Sequence, residues 1–175
     1  MDGVAGPGEE VAQGAAAWDR AAVRGGDAAS VGAATVDDVV AAAQAVDVLH
    51  VSAHGRHALD NPLFSGLQLA DGVLFGYDID QLARVPAAVV LSACESGRSA
   101  VRWGEESVGM TRAWLHAGAG AVVAAPVVVA DDDACELLGA LHTGLAAGSP
   151  AAEALQQATA RTGIRSPFLC HGNGF

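Results

Sequence analysis

Ala87-Ala-Val-Val-Leu-Ser92, opened by Pro86 and followed by Ala93-Cys94, is the clearest buried strand in the chain. A short apolar run of this kind needs cover on both faces, which a parallel sheet with helices above and below provides. Upstream, Asp47-Val-Leu-His-Val-Ser-Ala53 has the same character and gives way to His54-Gly55; downstream, Ala121-Val-Val-Ala-Ala125 is a third such run. Helical segments alternate with these strands. Thr35-Val-Asp-Asp38 reads as a helix start, with Thr35 as cap and Asp38 three residues on, and Val36, Val39, Val40 and Ala43 then share one face. Glu105 to Ala117 reads as a helix ending at Gly118 and Gly120, after a loop over 95–104. Asp131 is positioned to cap a helix through Ala147 that stops at Gly148, and Ser149-Pro150 opens another, with Ser as cap and Pro first. The pattern predicts an α/β fold, a mostly parallel sheet with helices on both faces.

The remaining segments are shorter. Gly66-Leu-Gln-Leu-Ala70 and Val73-Leu-Phe75 flank Asp71-Gly72, a turn pair that hairpins favour, and Asp78 to Ala83 fits a short helix. Residues 1–30 are rich in Gly and Ala and weakly patterned; they suggest a strand at Gly3–Ala5 and a helix over Glu9–Ala22. There is no internal repeat, low-complexity tract or interdomain linker, and 175 residues suit one domain.

Composition narrows the function. Hydrophobic residues at 51% and charged residues at 17% describe a globular chain, and aromatics at 5% leave the core to Ala, Val and Leu. Nine Lys+Arg against twenty Asp+Glu give a net charge of −11, which excludes a phosphate-neutralising face for nucleic acid and disfavours an anionic membrane surface. Cys94, Cys135 and Cys170 have no CxxC spacing, so a reducing compartment is expected rather than a disulfide framework. Met1-Asp-Gly-Val4 lacks the features of a signal peptide, and the longest apolar run, Ala119 to Ala130, contains Pro126 and is too short to span a bilayer. A cytoplasmic location is the expectation.

Ligands and reacting groups of open parallel sheets gather beyond the carboxyl ends of the strands. His54 follows the strand 47–53 and Cys94 follows the strand 87–92. If the two strands are neighbours, an imidazole and a thiol emerge at one sheet edge, and a thiol nucleophile needs such a base to release its proton. Gly55 lets the backbone turn after the base, and its N–H with that of Cys94 makes a candidate oxyanion hole. Singly, each residue reads as structural: a Cys after a strand as a small buried apolar residue, a His before Gly as a turn residue. Their placement at equivalent strand ends favours catalysis.

His50 shares strand parity with His54 and reads better as a satisfied core histidine, while His57 reads as an exposed loop residue. Asp131, Asp132 and Asp133 complement a helix dipole; the sharper reading is that Asp131 or Asp132 lines a substrate pocket and selects Arg or Lys. Glu95 and Ser65 are further candidates for the cleft. Cys170-His171 is a lone pair and Cys135 sits within a helix, so no metal and no cofactor is expected. Gly118-Ala-Gly120 comes after a helix and before a strand, the reverse of a dinucleotide fingerprint, and no G-x-S-x-G elbow is present.

Leu49-His-Val-Ser-Ala-His-Gly-Arg56, Asp60-Asn-Pro-Leu-Phe-Ser65, Leu69-Ala-Asp-Gly72 and Val89-Val-Leu-Ser-Ala-Cys-Glu-Ser-Gly97 resemble CHAT domains. These belong to the caspase, separase and gingipain group of cysteine peptidases and often accompany tetratricopeptide repeats. The similarity runs from about Val4 to Gly172. It implies a caspase-like three-layer sandwich in which His54 matches the general base, Cys94 the nucleophile and Gly55 an oxyanion-holding residue. The implied activity is that of a cysteine endopeptidase acting on a protein or peptide substrate, with a tetratricopeptide-repeat or other regulatory protein as partner. CHAT domains usually carry a further strand and other elements before the segment resembling Val4-Ala-Gly-Pro7, so the N-terminal part of the usual domain is expected to be missing. The alternatives are a non-catalytic caspase-like interaction module and a different Cys-dependent acyl transferase or hydrolase.

Overall fold

The computed structural model of the chain describes residues 7–19, 34–56, 66–93, 105–127, 129–165 and 167–173. The elements are α1 (Pro7–Ala15), α2 (Val36–Ala45), β1 (Val48–Arg56), β2 (Gly66–Gln68), β3 (Val73–Phe75), α3 (Gly76–Ile79), β4 (Ala88–Ala93), α4 (Glu105–Ala117), β5 (Ala121–Ala124), α5 (Asp131–Ala146), α6 (Ala151–Thr162) and β6 (Leu169–Gly172). The suggested strand at Gly3–Ala5 and the loop over 95–104 lie outside the described residues.

Alternation along the strands decides the layers. Val89 and Leu91 of β4 join Leu49 and Val51 of β1 in one core with Val39 and Ala43 of α2, Ile79 of α3, and Met110 and Trp114 of α4. Val90, between them, points the other way and joins Ala121 and Val123 of β5, Leu137, Leu138 and Leu141 of α5, and Ala154 and Ala158 of α6. Successive side chains of a strand face opposite sides, so a run that is apolar throughout needs helices on both. The result is the expected helix–sheet–helix sandwich.

One six-stranded sheet runs in the order β3-β2-β1-β4-β5-β6. Its centre is parallel: β1 pairs β4 from Val48↔Ala88 to Ala53↔Ala93, and β4 pairs β5 from Ala88↔Ala121 to Leu91↔Ala124. The flanks β2, β3 and β6 are antiparallel. The sheet is therefore mixed, and β6, which the sequence did not suggest, covers β5 at one edge.

Several boundaries follow their caps. Thr35 Oγ1 accepts from the Asp38 amide at 3.1 Å, and Asp38 Oδ2 accepts from the Thr35 amide at 3.1 Å, completing the expected capping box of α2. Thr35→Ala is expected to cost about 1 kcal/mol, read as a lowered urea midpoint. An unchanged midpoint would mean that this box does not stabilise the fold. Asp71, expected as a hairpin turn residue, accepts from the Val36 amide at 2.9 Å. The β2–β3 connection is accordingly four residues, Leu69 to Gly72, closed by a 2.8 Å bond between the Leu69 amide and the Gly72 carbonyl. A side chain at Gly66 would press within 2.5 Å of the Leu74 carbonyl oxygen, so this hairpin needs glycine there.

Other boundaries differ from expectation. Helix α3 starts before Asp78, because the Asp78 carboxylate accepts the Phe75 amide at 2.9 Å and caps from within. Helix α5 is capped by Ala130 rather than Asp131, which leaves all three aspartates in its first turn. Pro150, at φ −55° and ψ 149°, stays outside α6 and acts as its N-cap, so Ser149 does not fill that position. Helix α1 ends at Ala15 rather than Ala22, where the Ala17 amide closes a tighter turn on the Gly14 carbonyl at 3.2 Å. No helix among the described residues is long and apolar enough to cross a membrane.

Candidate functional site

Strand β1 is longer than the run expected from its apolar residues. It continues through His54↔Gln68, Gly55↔Leu67 and Arg56↔Gly66, where β2 supplies the partner strand. His54 therefore lies inside the strand rather than beyond it. Gly55 is extended and paired, not the sharp turn anticipated, and is absent from the glycines with positive φ. The apolar run stops at Ala53, but the backbone stays extended because an antiparallel neighbour takes its hydrogen bonds. Residues 50, 52 and 54 share one face of the sheet. Along that face the His50 side chain is 7% exposed, Ser52 is half-buried and His54 is exposed. The row climbs out of the core, and His54 is its solvent end.

Beneath it lies a buried polar network. Glu10 of α1 places Oε1 at 2.9 Å from His50 Nε2 and accepts from Ser92 Oγ on Oε2 at 3.0 Å. On the far side, His50 Nδ1 is 3.0 Å from His142 Nε2 on α5, and His142 Nδ1 accepts from Trp18 Nε1 at 3.1 Å. Glu10, Ser92 and His142 are all 3–4% exposed. Burial and the neighbouring His50 push the His142 imidazole down to about 3, so the ring is neutral.

Proton positions follow from the donors. An indole nitrogen only donates, so His142 Nδ1 must accept. A neutral His142 then carries its proton on Nε2 and gives it to His50 Nδ1. His50 carries its own proton on Nε2 and gives it to Glu10, whose second oxygen takes the Ser92 hydroxyl proton. Every contact holds one hydrogen, and a third ring proton has no place.

Of the residues expected at the site, His54 and Gly55 are described; Cys94, Glu95 and Ser65 lie outside the described residues. Asp131 and Asp132 stand at the start of α5, beyond the carboxyl end of β5. Cys135, one turn further, donates its thiol proton to Gln13 Oε1 at 2.7 Å. Burial, then the charges of Glu10, Glu9 and Asp132, push that thiol above the ordinary range, so it is not an activated nucleophile. Burial raises the Cys170 thiol as well.

A family model for the CHAT domain matches residues 5–163. The chain belongs to the CHAT family. That family is related to caspase-like cysteine peptidases, and a mixed sheet between helical layers agrees with a caspase-like α/β fold. Curated proteins offer no match to the chain. The span that identifies this CHAT domain contains Glu10, His50, His54, Ser92, Cys94 and His142, and it stops short of β6. Sequence reasoning missed Glu10, Ser92, His142 and Trp18 as a group. The available signal was His142 itself, an imidazole amid Leu137, Leu138 and Leu141 on the apolar face of α5, which needs polar partners to be buried there.

Proposed function

We propose that this CHAT domain is a cysteine endopeptidase with His54 as general base and Cys94 as nucleophile. The observation that carries the reading is the in-register parallel pairing of β1 and β4: His54 is the exposed end of the β1 row, and Cys94 follows β4 directly in sequence. His54 takes the thiol proton of Cys94, and the sulfur attacks the scissile carbonyl of an extended peptide. The backbone amides of Gly55 and Cys94 hold the oxyanion. Protonated His54 gives its proton to the leaving amine as the C–N bond breaks, leaving a thioester. Water, deprotonated by His54, hydrolyses that thioester to a carboxylic acid and restores the thiol.

The test is a thiol-directed peptidyl probe applied to the full chain at pH 7. Labelling should map to Cys94, vanish in Cys94→Ala and fall about tenfold or more in His54→Ala. Folded protein that takes no label would instead support a non-catalytic interaction module. Labelling of Cys94 that His54→Ala leaves unchanged would remove the base from the mechanism.

A further inference from the structure

We propose that Glu10 is a positioning residue, a carboxylate of α1 that ties His50 of β1 to Ser92 of β4 and so steadies the two strands on which the base and nucleophile of the proposed dyad depend. The inference rests on the peptidase reading above. Its physical basis is independent of that reading. One carboxylate oxygen takes the His50 proton on β1 and the other takes the Ser92 proton on β4, at 2.9 and 3.0 Å. His50 precedes His54 by four residues on the same face of its strand, and Ser92 precedes Cys94 by two in sequence. A carboxylate accepts on both oxygens without contributing a donor, which suits the two donors that meet it here.

Stability alone is a poor reason for such a group. Burying a charged, hydrogen-bonded cluster gains little over well-packed apolar residues of similar volume, and Val90, on the same face of β4, shows that apolar packing is available there. What the cluster adds is direction. Backbone pairing already sets the register of β1 and β4, and the two hydrogen bonds from Glu10 additionally hold one side chain of each strand to a single point on α1. Helix α5 braces the tie from behind through His142 and Trp18. Gly14 permits this approach, since a Cβ at that position would lie 2.6 Å from the His142 ring.

The experiment is the pH dependence of Cys94 alkylation by iodoacetamide, read by peptide mapping in the full chain. Wild type should alkylate with a midpoint below the ordinary thiol value of about 8.5. Glu10→Ala should raise the midpoint by about one pH unit and slow alkylation at pH 7 about tenfold, with far-UV circular dichroism unchanged. Glu10→Gln should keep the wild-type profile: its amide oxygen accepts from His50 and its N–H donates to Ser92 Oγ, which turns to accept. If Glu10→Ala does not fold, Ser92→Ala serves, since it cuts the β4 arm alone and should raise the midpoint in the same direction. A wild-type midpoint at the ordinary value would overturn the dyad and this inference together. A lowered wild-type midpoint that folded Glu10→Ala or Ser92→Ala leaves in place would overturn the positioning role alone. So would a Glu10→Gln profile matching that of Glu10→Ala.

Discussion

Trp114→Ala is expected to remove about 3–5 kcal/mol of stability, the range for truncating a large aromatic in a packed core. Trp114 is 0% exposed and sits where α4 meets Val89, Leu91 and Val122 of the central strands, so the hole would open against the middle of the sheet. For a chain of this size the loss corresponds to a fall in melting temperature of roughly 6–20 °C. Trp114→Phe should behave differently. Among the described residues the indole Nε1 has no hydrogen-bond partner, so tryptophan there already bears the cost of a buried, unsatisfied donor. Phenylalanine keeps most of the ring and removes that donor, and its net effect should stay within about 1 kcal/mol of wild type. Urea unfolding of the two variants side by side measures the difference; equal losses would show that the indole N–H is satisfied in solution.

His142 should make the fold sensitive to acid. Its folded imidazole takes up a proton only near pH 3, whereas the unfolded one does so near 6.5. Below 6.5 the unfolded state therefore binds more protons than the native state. The contribution of His142 is complete above about pH 6.5 and is lost as the pH falls toward 3, at up to about 1.4 kcal/mol per unit and at most about 5 kcal/mol in all. The mechanism is visible in the network: with Nε2 already protonated, the extra proton on His142 goes to Nδ1, where it sets two donors against each other at Trp18 Nε1. His142→Gln removes this titration, so wild type should lose about 3 kcal/mol relative to the variant as the pH is lowered from 6.5 to 4, enough to close or reverse the gap between the two proteins. Parallel stability curves would refute the linkage. At neutral pH the variant should be the weaker, by about 1–3 kcal/mol, because its neighbours lose partners.

The sequence spoke most clearly where structure is local. The Thr35–Asp38 box, the bounds of α4 and the cores of β1, β4 and β5 depend on residues a few positions apart, and their chemistry is written in adjacent letters. The extension of β1 through His54-Gly55-Arg56 was not legible, because its cause is a partner strand elsewhere in the chain and glycine locally suggests a turn. Strand β6 was missed because Leu169–Gly172 is four residues long, half-exposed and without alternation. The candidate site divides in the same way. His54 and Cys94 were proposed from their positions near strand ends, and of the two His54 is described, inside β1 rather than beyond it. Glu10 was invisible in a weakly patterned Gly/Ala stretch, because its meaning comes from His50 and Ser92, 40 and 82 residues away.

Those separations also set a timetable. The first helix has nine residues, too few to persist alone in water, and Trp18 meets His142 across 124 residues of chain. At translation rates of about 5–20 residues per second, roughly 6–25 s pass between the emergence of Trp18 and that of its acceptor. The amino-terminal segment must wait on the ribosome for the helix it docks against, and the nascent chain spends that interval with its Glu10 carboxylate solvated rather than seated.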